Sequence, residues 1–283
     1  MKSSIIIAPN PKQDLGLEFS KELKNRLDER GYKTEILPVS PYEKDSEFLL
    51  NEEEKLRYTK LIIPVGGDGT IIHVARGVMG TEVPILGVNM GKLGFISSVE
   101  KDEFDLIFKA AEGNYRRSRR MLLECEVIRD GKEVYAETAV NEVIVKSDVS
   151  CVGLSIMADD KRMFTFSGDG VIVATPTGST AYSMSAGGPL VEPEAENILV
   201  TPICAHNFAA AAFVLSDIRT VRVNPSFEQG QRVLISADGL SGIDFLGGET
   251  VYFRKSDKHI VIADMEARGF YDKVFNKLMP NRE

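Results

Sequence analysis

The sequence predicts two domains, an N-terminal Rossmann-like α/β domain and a C-terminal antiparallel, β-rich and sandwich-like domain. The first part of the 283-residue chain alternates short apolar runs with helical patterns, as in an open sheet of parallel strands. The later part consists of short β-rich runs, and the chain is long enough for two hydrophobic cores. We place the first domain at residues 1–112, with residues 265–283 packing back on it, and the second at residues 113–264.

The first domain is predicted from four apolar runs, which are short enough to be buried strands. These runs are residues 4–9, 32–37, 61–65 and 83–88. Between the first two runs, apolar residues recur every four positions up to Gly31, which favours a helix that ends there. The recurring residues are Leu15, Phe19, Leu23 and Leu27. Residues 103–112 are amphipathic and predict a further helix.

The second domain is predicted from β-rich runs that are separated by turn residues. The runs are residues 122–129, 134–138, 143–146, 154–158, 162–166, 233–237, 250–254 and 259–263. Asp130-Gly131 indicates a hairpin turn. The basic residues 116–120 are interpreted as a solvated linker, with contacts to an anionic ligand or a neighbouring subunit as the alternative. The chain closes with a predicted helix that we expect to return to the first domain, based on Phe270, Val274, Phe275 and Leu278.

The composition argues against several classes of function. A net charge of −8 and a pI near 5.2 do not suit a nucleic-acid-binding surface. Three cysteines without C-x-x-C spacing indicate neither a zinc knuckle nor a disulfide framework, and they fit a reducing cytoplasm. No secretory signal pattern and no run of 18 apolar residues is found, so we expect a cytoplasmic protein without a membrane partner. The three histidines are scattered, so we assign no metal ligand and expect any metal to be Mg²⁺ arriving with phosphates.

The most informative motif is Gly66-Gly67-Asp68-Gly69-Thr70, which follows an apolar run and precedes a helical pattern. Glycines let the backbone approach a polyphosphate closely, and N–H groups at a helix start attract anions. A carboxylate among phosphate-binding amides is electrostatically unfavourable, so Asp68 indicates chemistry or metal binding. An ordinary glycine turn is the alternative. Neither the Walker A pattern nor the Gly-x-Gly-x-x-Gly fingerprint occurs, so a nucleotide would be held by a different loop.

A second motif is the hydroxyl-rich segment of residues 168–189, which follows a predicted strand and has glycines at both ends. Small hydroxyl side chains and exposed amides suit the recognition of ribose, amide and phosphate groups, and Tyr182 could stack on a base. A β-turn without a ligand is the alternative. The segment lacks a serine nucleophile elbow, because Ser183 stands where the first glycine of that motif is needed.

With these motifs in place, the chain resembles the NAD kinase family over most of its length. The resemblance rests on five blocks in order, residues 66–70, residues 87–95, Asn141-Glu142, residues 168–189 and Asp238-Gly239. Lipid kinases and phosphofructokinases share the first block, but not the sequence Thr-Pro-Thr-Gly-Ser-Thr-Ala-Tyr at residues 175–182. The order and spacing of the blocks together make the resemblance specific.

The resemblance implies transfer of the γ-phosphoryl group of ATP to the 2′-hydroxyl of the adenosine ribose of NAD, with Mg²⁺ brought by ATP. Asp68 matches the general base. The residues implied to bind ATP phosphates are Gly66, Gly67, Gly69 and Thr70. The residues implied to bind NAD are Asp68, Gly69, His73, Asn141, Glu142, Asp169, Thr180, Ala181, Tyr182, Ser183, Met184 and Ser185. Asp169 is contributed by a neighbouring subunit in related enzymes, which implies a homodimer or homotetramer, and polyphosphate is an alternative phosphoryl donor.

The sequence departs from the family pattern at some positions, and several of its residues and the whole chain have alternative interpretations. Leu240 follows Asp238-Gly239 where many relatives have Gln, and Cys204 is at most a pocket-lining residue. Structural interpretations also stand for Asn141 as a turn cap, His73 as a helix-surface residue and Lys92 as a solvated side chain. The alternative functions are a lipid or sphingoid-base kinase that shares the first motif, and a non-catalytic dinucleotide-binding sensor. The site is expected between the two domains.

Overall fold

The computed structural model of the protein describes residues 4–40, 53–91, 94–148, 151–206, 211–228, 231–240, 242–267 and 269–278. The chain forms two compact units, the first comprising Met1–Arg120 with Lys258–Glu283 and the second comprising Met121–Asp257. The first unit is α/β and the second is built from antiparallel strands. The predicted fold class is therefore confirmed. Lys92, Leu93 and the predicted chain end beyond residue 278 lie outside the described residues.

The described residues form six α-helices and eighteen strands. The helices are α1 (Glu18–Glu29), α2 (Glu53–Arg57), α3 (Asp68–Arg76), α4 (Phe104–Glu112), α5 (Tyr182–Ser185) and α6 (Phe270–Leu278). The first nine strands are β1 (Ser4–Pro9), β2 (Lys33–Ile36), β3 (Thr59–Gly66), β4 (Pro84–Ile85), β5 (Val88–Asn89), β6 (Val99–Glu100), β7 (Arg116–Arg129), β8 (Lys132–Ala139) and β9 (Glu142–Ser147). The other nine are β10 (Val152–Ala158), β11 (Lys161–Gly168), β12 (Gly170–Ala174), β13 (Asn197–Ile203), β14 (Phe213–Ser216), β15 (Val221–Ser226), β16 (Val233–Ala237), β17 (Ile243–Asp244) and β18 (Thr250–Asp264).

The first unit is organised around parallel strands in the order β2-β1-β3-β4, continued by the last part of β18. Strand β5 pairs with β3 and β6 pairs with β5, also in parallel. The strands are rich in β-branched residues that are buried on both faces, as expected where helices cover a parallel sheet. Pro9 pairs with Val65, so β1 and β3 end at the same edge of the sheet. The glycine motif therefore begins at the carboxyl edge, where open α/β sheets bind ligands.

The helix after β1 begins later than its apolar spacing predicts. Gly16 and Leu17 have left-handed backbone angles, with φ of 64° and 57°, so the helical path starts only at Glu18. Leu15 is consequently 74% exposed and does not belong to the buried face. The Asp14 carboxylate accepts hydrogen bonds from the backbone N–H groups of Phe19 and Ser20 at 3.1 and 3.0 Å, which satisfies donors at the helix start.

The basic residues 116–120 form the start of strand β7, so the prediction of a linker was wrong. Alternate side chains of a strand point to opposite faces, and Ser118 and Arg120 are buried while the other three arginines are exposed. Within the first unit, Arg117 and Arg119 both contact the Glu82 carboxylate, at 2.5 and 2.7 Å. The arginines of this run therefore form ion pairs with neighbouring carboxylates. Composition alone does not distinguish such a strand from a solvated linker.

The second unit contains two groups of antiparallel strands. One sheet has the order β14-β13-β12-β9-β16-β17, and the other pairs β11, β10, β15 and the first part of β18. Strands β7 and β8 form a hairpin whose turn residues, Asp130 and Gly131, have φ of 49° and 72°, as a tight hairpin requires. Inward-facing residues of these strands share one hydrophobic core, which includes Leu123, Val145 and Phe253.

The strand β18 is one continuous element, although the sequence predicted two separate runs at residues 250–254 and 259–263. The polar residues between these runs keep a strand conformation, because strand pairing overrides their weak β-propensity. Its first part belongs to the second unit and its last part to the first unit, together with α6. Within the part of the chain that is described, no helix combines the length and apolar character needed to cross a membrane.

Candidate active site

The glycine turn of the first unit is tightly packed. A Cβ atom on Gly66 would lie 2.4 Å from Thr70 Oγ1 and 2.7 Å from Gln13 Oε1, so only glycine fits there. The Gly67 N–H donates to Gln13 Oε1 at 2.8 Å, and Asn10 Nδ2 donates to Thr70 Oγ1 at 3.3 Å. The turn therefore presents amide groups next to two amide side chains from the loop after β1.

Asn10 and Gln13 were not identified from the sequence. Their place after β1 is the signal that could have found them, because β1 and β3 are parallel neighbours and end at one edge. Gln13 Oε1 occupies the Gly67 N–H, the kind of donor that a phosphate oxygen would accept from. A ligand phosphate at this turn would replace the Gln13 side chain on that donor.

The Asp68 carboxylate, at the first position of α3, holds a backbone segment of the same unit. Asp68 Oδ2 accepts a hydrogen bond from Phe95 N at 2.7 Å, and Oδ1 accepts from Ile96 N at 3.3 Å and Ser97 N at 3.4 Å. A Cβ atom on Gly94 would lie 2.0 Å from Asp68 Oδ1, so the carboxylate requires glycine at that position. The three amides hold the carboxylate by hydrogen bonds and fix its orientation.

Two further side chains of this unit, Ser97 and His73, are relevant because one belongs to the segment held by Asp68 and the other is a predicted NAD-binding residue on α3. Ser97 Oγ is buried and has no hydrogen-bond partner among the described residues. His73 is half-buried, and burial, together with the charge of Arg76, lowers its pKa from the ordinary value. At 100° per residue His73 lies about 140° around the axis of α3 from Asp68. The structure therefore does not place these two side chains on one helix face.

In the second unit, three strand ends bring the other site residues together. Glu142 begins β9, whereas β12 and β16 run antiparallel to β9 and end beside it. The register pairs Ala174 with Glu142 and Ala237 with Val143. Thr175 and Asp238, the residues that directly follow those two strand ends, consequently lie next to Asn141-Glu142.

Asp238 fixes the segment that carries Asn141 and Glu142. Its carboxylate accepts hydrogen bonds from the backbone N–H groups of Val140 at 2.8 Å, Asn141 at 2.8 Å and Glu142 at 3.2 Å. On the opposite side of the segment, Thr175 Oγ1 donates to Val140 O at 2.7 Å and Thr175 N donates to Asn141 O at 2.8 Å. The backbone of residues 140–142 is thus held through both its donors and its acceptors.

Glu142 has an unusual electrostatic environment. Burial, reinforced by the negative charge of Asp238, raises its pKa to about 8, while a hydrogen bond from the Tyr182 N–H opposes the shift. Glu142 Oε2, Asn141 Oδ1 and Thr177 Oγ1 are all buried without a hydrogen-bond partner in the described structure. Buried polar atoms are normally paired, so a cluster of three unpaired ones indicates that a polar ligand completes the site.

The hydroxyl groups of the loop after β12 mostly serve the loop itself. Ser183 Oγ pairs with Thr201 Oγ1 at 2.9 Å, Ser179 Oγ donates to Val191 O at 3.1 Å, and Thr180 Oγ1 donates to Thr177 O at 3.2 Å. Of the residues at the following short helix, Ala181 and Met184 are half-buried, while Ser185 and Tyr182 are exposed. The loop therefore offers a ligand its backbone, Thr177, Tyr182 and Ser185, whereas the hydroxyls of Ser179 and Ser183 bond within the protein.

Asp169 lies between β11 and β12 and is exposed. The Cys204 thiol donates a hydrogen bond to the Asp169 carboxylate, and this bond together with the negative charge raises the pKa of Cys204. Cys204 is exposed and is therefore not a lining residue of a closed pocket. Among the residues that the structure describes, no group of three or more His, Cys, Asp or Glu side chains could hold a metal ion.

Comparison with known proteins points to one family for both units. A family model described as "ATP-NAD kinase N-terminal domain" matches residues 5–116, and one described as "ATP-NAD kinase C-terminal domain" matches residues 140–265. An NAD kinase from Caldanaerobacter subterraneus subsp. tengcongensis is 35% identical over 279 residues, which cover 96% of this chain and 97% of that protein. An NAD kinase from Syntrophotalea carbinolica is 38% identical over 221 residues, which cover 77% of both chains.

Two solved structures are similar in fold. The crystal structure of an NAD kinase from Archaeoglobus fulgidus in complex with ATP has a TM-score of 0.75 and 26% identity, and the match covers 97% of this chain and 98% of that chain. The crystal structure of yeast NADH kinase complexed with NADH has a TM-score of 0.84 and 24% identity, and the match covers 100% of this chain and 89% of that chain.

Proposed function

The chain belongs to the NAD kinase family, and from that premise we propose that it transfers the γ-phosphoryl group of ATP to the 2′-hydroxyl of the adenosine ribose of NAD, yielding NADP. The observation that carries the assignment of chemistry is the placement of Asp68 as the first residue of α3, behind a glycine turn at the carboxyl edge of the parallel strands. Phosphoryl transfer requires mainly positioning and charge stabilisation, which such a turn supplies.

Asp68 is proposed as the general base. A carboxylate has about four lone-pair positions, and three of those of Asp68 accept backbone N–H groups. The remaining position can accept the proton of a ribose hydroxyl as its oxygen attacks the γ-phosphorus. Because the three amides prevent rotation of the carboxylate, the hydroxyl meets an acceptor that is already oriented.

The glycine turn is proposed to hold the ATP phosphates. The Gly67 N–H and the neighbouring amides at the start of α3 point outward from a helix N-terminus, which favours negative charge. The residues present fit a Mg²⁺ that is held mainly by phosphate oxygens and water, since Asp68 is the one carboxylate of this turn and no group of metal-ligating side chains is found in the described chain. Bound with ATP, Mg²⁺ supplies neutralisation of the phosphate charge.

The second unit is proposed to bind NAD. The unpaired Glu142 Oε2, Asn141 Oδ1 and Thr177 Oγ1 can exchange hydrogen bonds with ribose or carboxamide groups, and the exposed Tyr182 ring can stack on a base. With a pKa of about 8, Glu142 is mostly protonated at pH 7, so it can donate as well as accept. This polar cluster does not suit the apolar acceptor of a lipid kinase.

The assay that tests the proposal combines purified protein with ATP, Mg²⁺ and NAD, and detects NADP with a dehydrogenase strictly dependent on it. We expect NADP formation only when all three components are present. Parallel reactions with polyphosphate as donor and with sphingosine or diacylglycerol as acceptor address the alternative donors and acceptors. Correctly folded protein that makes no NADP with either ATP or polyphosphate would contradict the assignment.

We further propose a cytoplasmic homodimer or homotetramer in which Asp169 of one subunit completes the site of another. The three cysteines are free, as suits a reducing compartment, and the Asp169 side chain is exposed. Mixing an inactive Asp68→Asn protein with an inactive Asp169→Ala protein should restore NADP formation once subunits exchange, because some sites then contain both carboxylates. If subunit exchange is demonstrated and activity does not recover, Asp169 does not act across subunits.

A further inference from the structure

Helix α6 is attached to the first unit in an unusual way. Lys273 is the one residue of this helix that is buried, with 8% of its surface exposed. Among its apolar residues, Tyr271, Phe275 and Leu278 are between 45% and 69% exposed, and Phe270 and Val274 are half-buried. Lysine is almost never fully buried unless its ammonium group is paired. The one buried side chain of this helix is therefore a cation and not an apolar residue.

The Lys273 ammonium group is directed at the segment that Asp68 holds. Lys273 Nζ donates to Ser97 O at 2.8 Å and to Phe95 O at 3.2 Å. Asp68 accepts the N–H groups of Phe95, Ile96 and Ser97 from the same segment. Residues 95–97 are therefore fixed through their carbonyls by a cation and through their amides by an anion.

One peptide group connects the two charges directly. The Phe95 carbonyl, which accepts from Lys273, and the Ile96 N–H, which donates to Asp68 Oδ1 at 3.3 Å, belong to the same peptide bond. A cation on the carbonyl oxygen polarises the peptide and makes its N–H a stronger donor. The positive charge of Lys273 therefore acts on Asp68 through the backbone, although the two side chains contact different sides of the segment.

We propose that Lys273 is a positioning residue for the phosphoryl-transfer reaction, which holds and polarises the amide cradle that orients the Asp68 carboxylate. The inference rests on the proposed role of Asp68 as the general base. Burying an ammonium group carries a desolvation penalty that an apolar anchor would avoid. A function for the charge itself accounts for lysine at this position better than packing alone.

Steady-state kinetics of Lys273→Met test the proposal. Methionine preserves most of the side-chain volume but removes the charge and all donors. We expect kcat to fall by about 10- to 100-fold, because loss of orientation at a reacting group has effects of this size, while KM for NAD and for ATP changes by less than about threefold. Lys273→Arg keeps the charge and its donors, and should retain most of the activity.

A double-mutant cycle with Asp68→Asn separates positioning from a structural role. Once the carboxylate is lost, the cradle has nothing to orient, so Lys273→Met should change the residual kcat by less than about threefold. Equal effects of Lys273→Met in both backgrounds would overturn the proposal. So would an unchanged kcat per folded molecule with a lowered Tm, which is the signature of an anchor. If Asp68→Asn itself kept normal activity, the general-base role would fail instead.

Ile107→Val is the matched control for loss of stability. Ile107 is fully buried in the core of the same unit, and this change should lower Tm without changing kcat. If Lys273→Met does not fold, Lys273→Gln replaces it, because the amide retains two donor hydrogens without a charge. A normal kcat in the glutamine variant would show that the charge is dispensable and would overturn the proposal.

Discussion

Asp68 in the first unit and Asp238 in the second hold their surroundings by the same device, since each carboxylate accepts three backbone N–H groups. The bonds to Asp238 are 2.8, 2.8 and 3.2 Å long, whereas those to Asp68 are 2.7, 3.3 and 3.4 Å long. On the carbonyl side the held segment is fixed by the neutral Thr175 in one unit and by the charged Lys273 in the other.

The difference lies in which partner is proposed to meet the substrate. At Asp238 the carboxylate is the support, and the groups left for a ligand are those of Asn141 and Glu142 on the held segment. At Asp68 the carboxylate is proposed to react, and the segment is the support. One backbone device can therefore serve binding in one unit and chemistry in the other, and loss of each carboxylate should leave a different kinetic signature.

The largest expected effect is that of Asp68→Asn. Asparagine keeps the shape of the side chain but cannot accept the ribose proton, so kcat should fall by about 10²–10⁴-fold, the usual contribution of general-base catalysis. KM for NAD should change little. Asp238→Asn is the matched variant, and it should instead raise KM for NAD, because residues 140–142 lose their support. A mainly raised KM in Asp68→Asn, or a mainly lowered kcat in Asp238→Asn, would contradict this division of roles between the two carboxylates.

Removal of the Glu142 side chain tests the proposed binding role of the second unit. A carboxyl group that contacts NAD away from the transferred phosphoryl group stabilises ground and transition states alike, so Glu142→Ala should raise KM for NAD. Glu142 is mostly protonated at pH 7, and its removal leaves the ligand group that it meets unpaired, which costs about 1–3 kcal/mol, or roughly 5- to 150-fold in affinity. KM for ATP should hardly move in kinetics with each substrate varied. Equal changes for both substrates would indicate a general structural role.

The glycines that border the two held segments offer a matched pair of steric tests. A Cβ atom would lie 2.0 Å from Asp68 Oδ1 at Gly94 and 2.1 Å from the Asn141 carbonyl oxygen at Gly178. Overpacking of this kind costs about 1–3 kcal/mol, which corresponds to a change of roughly 5- to 150-fold in kcat or KM if the whole cost falls on the held segment. We expect Gly94→Ala to lower kcat and Gly178→Ala to raise KM for NAD, with circular dichroism confirming that both variants fold. Interchanged signatures would contradict the division of roles.

The smallest expected effect is a pH dependence of stability at Glu142. Its folded pKa of about 8 lies above the ordinary value of 4.5, so its favourable contribution is complete below about pH 4.5 and is lost as pH rises through 8. Glu142→Gln imitates the protonated acid and should remove this loss. Calorimetry of the ligand-free proteins at pH 6 and pH 9 should show the variant gaining stability relative to the wild type at the higher pH, by on the order of 1 kcal/mol. Parallel curves for both proteins would disprove the shift.

The sequence was sufficient for the features that depend on local pattern. Apolar runs of strand length predicted β1 and β3, and the position of residues 66–70 directly after such a run located them at a sheet edge. The hairpin at Asp130-Gly131 was likewise visible, because its left-handed backbone angles favour these residue types. Each of these features is predicted by a pattern that lies within about ten residues of the sequence.

The supports of the site were not predictable, because they join distant parts of the chain. Asp68 contacts amides 27 to 29 residues away, and Asp238 contacts amides 96 to 98 residues away. Nothing in the local sequence of Asp238 distinguishes a support from a ligand-binding acid. The hydroxyls of Thr180 and Ser183 were interpreted as ligand contacts, and in the structure both bond within the protein, at Thr177 and Thr201. A hydroxyl group in a loop can bond either to the protein or to a ligand, and the sequence does not show which partner it has.

The order of synthesis follows from the discontinuous first unit. Met121–Asp257 is one continuous stretch, whereas the α/β unit needs Lys258–Glu283, which is synthesised only after the whole of the second unit. At about 5–20 residues per second, domains that are complete in sequence can fold while translation continues. The β-rich unit can therefore fold on the ribosome, but the amides around Asp68 meet Lys273 only after the whole of that unit has been made. A polypeptide truncated before α6 would retain the glycine motif yet lack the cation behind its carboxylate, so only chains that extend through α6 acquire the complete cradle.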